Sequence, residues 1–76
     1  MKEFLATIVR ELVSEPEEIR IKESKQGGSI LLEISVAPQD MGKVIGRGGK
    51  RAQAIRSIMK AKATREGTRV IVDIID

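Results

Sequence analysis

Apolar residues recur along residues 2–14 at Phe4, Leu5, Ile8, Val9, Leu12 and Val13, the i, i+3 and i, i+4 spacing of one helix face. This predicts an amphipathic helix that stops at Ser14-Glu15-Pro16, because the residue before a proline is pushed out of the α region. The period then changes to two. Residues 18–25 alternate through Ile19, Arg20, Ile21 and Lys22, and residues 29–36 place Ile30, Leu32, Ile34 and Val36 on one face. Gln26-Gly27-Gly28-Ser29 between them is a hairpin signal, so two antiparallel strands are predicted. Pro38-Gln39-Asp40 ends the second strand and offers Asp40 as N-cap to a short helix closing at Gly46, a residue suited to the position after a helix. The helical period returns from Lys50 to about Ala63, with Ala52, Ile55, Met59 and Ala63 as the buried stripe. Glu66-Gly67 turns into a last strand over 68–75, where Val70, Val72 and Ile74 alternate with Arg69, Ile71 and Asp73. The predicted order is α-β-β-α-α-β: a two-layer α+β fold, three helices on one three-stranded sheet.

Composition narrows the chemistry. The 76 residues make one domain, 1–76, whose modest core buries roughly 60% of the unfolded surface. There is no cysteine for a disulfide or thiolate metal site, and no histidine, the usual general base and zinc ligand. Glu15, Glu17 and Glu18 form an acidic run of the kind that is more often solvated than catalytic. No metal, cofactor or enzymatic activity is therefore expected. No apolar run approaches the roughly 18 residues of a membrane span, and Met1-Lys2-Glu3-Phe4 is unlike a secretory signal, so a cytoplasmic location is expected.

Charge is the more informative quantity. The net charge is +3, yet residues 41–65 contain Lys43, Arg47, Lys50, Arg51, Arg56, Lys60, Lys62 and Arg65 and no acid. Within that stretch Gly46-Arg47-Gly48-Gly49 joins the two predicted helices. Glycines let a phosphodiester backbone lie close to the peptide plane, and the following helix presents unpaired N–H groups of partial positive charge. Arg47, Lys50 and Arg51 add formal charge around the same spot. A P-loop built on Lys50 would need glycine at Val44 and Ser or Thr at Arg51, and a dinucleotide fingerprint starting at Gly46 meets Arg51 where its third glycine belongs. Both are excluded.

Val44-Ile45-Gly46-Arg47-Gly48-Gly49, set between two helices in the α-β-β-α-α-β order, resembles the type II KH domain family. With its small size, Val-Ile-Gly-Arg-Gly-Gly-Lys and a terminal Arg-Val-Ile-Val-Asp, the chain is most similar to the bacterial KhpA family. The resemblance implies binding of single-stranded RNA, about four nucleotides long, in a groove beside the GXXG loop. Carried over, Gly46, Arg47, Gly48 and Gly49 contact the sugar-phosphate backbone with Lys43 and Lys50 nearby, Val44 and Ile45 supply apolar surface beside the bases, and polar groups of the second strand read base edges. It further implies a cytoplasmic RNA chaperone or post-transcriptional regulator, a KhpB (Jag/EloR)-like KH protein as partner, and a link to cell-wall synthesis and cell length. The family usually places isoleucine where this chain has Ala52.

Phe4 is the only aromatic residue, so folds that stack bases on aromatic rings are excluded and an aliphatic groove with backbone clamping is favoured. On the basic helix Ala54, Ile58 and Ala61 form a second apolar stripe beside the core stripe. They either border the core or form a helix-helix contact; the prediction is a homodimer through this face. Two rival functions stay open at this level: an interaction subunit whose partner contacts the RNA, and binding of single-stranded DNA, which lacks only the 2′-hydroxyl.

Overall fold

The computed structural model describes residues 1–75. Helix α1 spans Lys2–Arg10, strands β1 and β2 span Arg20–Gln26 and Ser29–Ser35, helices α2 and α3 span Met41–Ile45 and Lys50–Arg65, and β3 spans Arg69–Ile74. The α-β-β-α-α-β order is the one expected, with single helical turns at Pro16–Glu18, Pro38–Asp40 and Arg47–Gly49 between the main elements.

The sheet order is β1-β2-β3. β1 and β2 are antiparallel, and the pair Gln26↔Ser29 closes the hairpin over Gly27-Gly28, with Gly27 at φ 60°. β2 and β3 are parallel from Ser29↔Arg69 to Ile34↔Ile74. A parallel pair needs a crossover, and α2 and α3 provide it. All three helices cover one sheet face, where Leu5 and Val9 of α1, Leu32 and Ile34 of β2, Val44 of α2, Ile55 and Met59 of α3 and Val72 of β3 form the core. The stripe Ala52, Ile55, Met59 and Ala63 is buried as its spacing demands.

The end of α1 and the start of β1 differ from the sequence reading, and Asp40 bears on the first. Asp40 stands before α2, yet its carboxylate makes no capping bond to that helix. It is fully buried and turned toward the end of α1, accepting from the Ser14 N–H at 3.0 Å, the Ser14 hydroxyl at 2.8 Å and the Glu15 N–H at 3.1 Å. A helix running to residue 14 would keep the Ser14 N–H for its own carbonyls. The carboxylate takes it instead: α1 ends at Arg10, the Glu11, Leu12 and Val13 N–H groups still bond back to Ile8 and Val9, and the chain leaves the helical turn at Ser14. The Pro16–Glu18 turn then takes up residues expected to open β1, which starts at Arg20.

Candidate nucleic-acid interface

Helix α2 ends where Gly46 adopts φ 76° and ψ 173° while its N–H still bonds to the Gly42 carbonyl at 2.9 Å. That backbone region is essentially closed to residues with a Cβ. The chain then makes one turn, closed by the Gly49 N–H on the Gly46 carbonyl at 3.1 Å, and passes into α3. Gly48 also has positive φ, 63°, with open space where a Cβ would stand. No side chain caps the start of α3, so the positive end of its dipole faces the loop.

Arg51 ties this turn together from behind. Its guanidinium donates to the Lys43 carbonyl at 2.7 Å, joining the first turn of α3 to the last turn of α2. Lys43 sits 3.4 Å from Asp40, so its ammonium is also engaged within the protein. Arg47 and Lys50 make no hydrogen bond or ion pair among the described residues, and both are exposed. With Gly46, Arg51 and Ala54 they line a shallow cleft of about 380 Å3. Of the four cations predicted at the loop, Arg47 and Lys50 have no partner among the described residues, whereas Arg51 bonds to the Lys43 carbonyl and the Lys43 ammonium lies beside Asp40.

The predicted apolar pair divides. Ile45 is 37% exposed beside the loop, whereas Val44 is 1% exposed and belongs to the core. The expectation that Val44 offers surface to a base is thus corrected: its side chain supports α2 from beneath. The strand expectation is corrected as well. β2 is the central strand, with Leu32 and Ile34 buried under the helices, and α3 instead packs against β3 at the sheet edge. There the Arg56 guanidinium donates to the Val72 carbonyl at 3.2 Å. Arg56 carried a signal in the sequence only as one of eight cations. Its place on the β3 side of α3, with Lys60 and Thr64 following at helical spacing, emerges once β3 is known to lie beside that helix.

Ala54, Ile58 and Ala61 are exposed on the side of α3 away from the core, with Ile58 at 46%. They do not border the core. The Asp40 carboxyl is held below its ordinary value. The Ser14 N–H lowers it most, burial opposes, and the Ser14 hydroxyl, the Glu15 N–H and Lys43 lower it further, from 3.8 to about 2. Among the described residues no helix is long and apolar enough to cross a membrane, and no cluster of acidic residues could hold a metal ion.

Comparison with known proteins agrees with this geometry. Residues 2–74 match the family described as KhpA/KhpB, KH domain. The RNA-binding protein KhpA of Clostridium acetobutylicum is 51% identical over 99% of this chain and 100% of its own length. Its counterparts in Caldanaerobacter subterraneus and Halalkalibacterium halodurans are 49% and 46% identical, each over 100% of its own length. Among solved structures, Aquifex aeolicus Era bound to GDP and aluminium fluoride matches with a TM-score of 0.65 at 19% identity, covering 95% of this chain and 28% of that longer one. Era in complex with MgGDPNP and a segment of 16S ribosomal RNA matches with a TM-score of 0.58 at 23% identity, covering 92% and 28%. At these identities the two Era structures establish the shared fold.

Proposed function

The chain belongs to the KhpA/KhpB KH domain family, and from that premise we propose that it binds single-stranded RNA, with phosphates on the Gly46–Gly49 turn and bases along the groove between α3 and β3. The observation that carries this reading is the pairing of a glycine turn, locked by Arg51, with two cations, Arg47 and Lys50, that have no partner within the described residues. Ile45 gives the groove an aliphatic wall, and the β3 edge, with the Val72 carbonyl under Arg56, brings backbone polar groups to base edges. The relatives named RNA-binding protein KhpA support RNA as the ligand.

In this reading the protein is a cytoplasmic RNA chaperone or post-transcriptional regulator. The family description, which joins KhpA with KhpB, supports a KhpB (Jag/EloR)-like KH protein as partner. A role in cell-wall synthesis and cell length rests on the family resemblance alone. The exposed face of Ala54, Ile58 and Ala61 supports a homodimer.

The test is binding of a labelled single-stranded RNA pool by the wild type and by Arg47→Asp/Gly48→Asp at two salt concentrations, with a matched DNA pool alongside. A Cβ at Gly48 meets no atom within 4 Å, and aspartate is among the residues that tolerate positive φ, so circular dichroism should show a folded variant. Wild-type affinity is expected to fall with salt with a logarithmic slope of about −0.7 for each phosphate neutralised, and the variant to bind at least about tenfold more weakly. Equal binding by the folded variant would overturn the loop site in favour of an interaction subunit whose partner contacts the RNA. Equal affinity for the DNA pool would remove the preference for RNA.

A further inference from the structure

We propose that the cleft where the end of α3 meets the β1–β2 turn and the start of β3 binds a second stretch of phosphodiester from the same RNA strand, so that the footprint exceeds the loop and its groove. This rests on the reading of the Gly46–Gly49 turn as the RNA site. At the end of α3 remote from that turn, a cleft of about 540 Å3 is walled by Gly28, Ser29, Thr64, Gly67, Thr68 and Arg69. It adjoins a second cleft of about 410 Å3 that shares Ser29, Thr64, Thr68 and Arg69 and adds Lys60.

The lining has the chemistry of a phosphate site. It offers two cations, Lys60 and Arg69, that form no ion pair among the described residues. Three hydroxyls, those of Ser29, Thr64 and Thr68, make no side-chain hydrogen bond among the described residues and stand ready to donate. No acid lines either cleft, and Glu66, close by in sequence, is held by Lys62 at 3.0 Å.

Position joins the cleft to the loop. Arg56, Lys60 and Thr64 repeat every four residues on one flank of α3, and Arg56 reaches β3, so that flank leads out of the groove at Arg56 to the cleft at Lys60 and Thr64. From Lys50 to Thr64 the helix rises about 21 Å, at about 1.5 Å per residue. A strand clamped over about four nucleotides at the loop and followed along this flank ends against Lys60 and Arg69.

The experiment compares labelled uridine oligomers of four and eight nucleotides, titrated against the wild type, Lys60→Gln/Arg69→Gln and Lys2→Gln/Arg10→Gln. The last has the same net charge with its changes on α1. All four side chains are exposed, so the fold is retained. The Lys60/Arg69 variant should bind the octamer about tenfold more weakly than the wild type does, with the tetramer unchanged within about twofold and the octamer salt slope reduced by about 0.7. The α1 variant should leave both oligomers within about twofold of the wild type. An unchanged octamer affinity in the Lys60/Arg69 variant, or equal weakening of both lengths, would overturn the second site while leaving the loop intact. If the wild type binds neither oligomer, the loop reading fails and this inference with it.

Discussion

A side chain at position 46 would place its Cβ 2.6 Å from the Cβ of Arg51 and 2.8 Å from that residue's backbone nitrogen. Glycine is required there twice over, since its φ and ψ alone would cost another residue about 1–3 kcal/mol. The missing atom lets the first turn of α3 close against the end of α2, where Arg51 reaches the Lys43 carbonyl. The glycine was legible in the sequence because a helix had to end there. The inward duty of Arg51 was not, because its partner is a backbone carbonyl that leaves no trace in residue identity. Asp40 was legible only as a residue suited to helix starts, and its true partners lie 26 and 25 positions away. Its folded-state pKa of about 2 lies below the ordinary 3.8, so its contribution to stability is complete above about pH 4 and is lost as pH falls through about 2. Asp40→Asn should melt below the wild type at neutral pH, and the gap between them should narrow between about pH 4 and pH 2. Parallel curves across that interval would show that the carboxylate charge is not what joins α1 to α2.

Among the elements, α3 shows how far periodicity can be read. Ala52, Ile55, Met59 and Ala63 were placed on the core by spacing alone, because burial against a sheet needs nothing more specific than an apolar stripe. The strand beside α3 could not be placed in the same way. Period-two alternation assigns a face to a strand and says nothing of its neighbours, so β3 at the sheet edge, and with it the role of Arg56, awaited the three-dimensional pairing. The outward stripe is the remaining question at this scale. A chain of this size has a total stability of about 4–11 kcal/mol, so covering Ala54, Ile58 and Ala61 in a dimer is a substantial addition. Ile58→Asp should convert a dimer to a monomer in sedimentation and lower its melting temperature. A sedimentation profile identical to that of the wild type would reject this face as the interface.

At the scale of the whole molecule, the positive charge of residues 41–65 and the β3 edge of the sheet lie together along α3. That edge has a consequence apart from RNA. β3 pairs with β2 on one side, continued past its end by the Ile75 N–H on the Ile34 carbonyl at 2.8 Å, and among the described residues its opposite side has no strand beside it. Val70-Ile71-Val72 runs along that border, a β-branched sequence able to template pairing between molecules. The Arg56 guanidinium occupies the Val72 carbonyl in the middle of it. Arg56→Ala should therefore aggregate faster in concentrated solution, followed by light scattering, than Arg65→Ala, which loses the same charge from the same helix. If the two scatter alike, the guanidinium is no barrier. If they differ, a side chain in the proposed RNA groove is also what keeps unliganded protein dispersed, and any change there made to alter binding will alter shelf life as well.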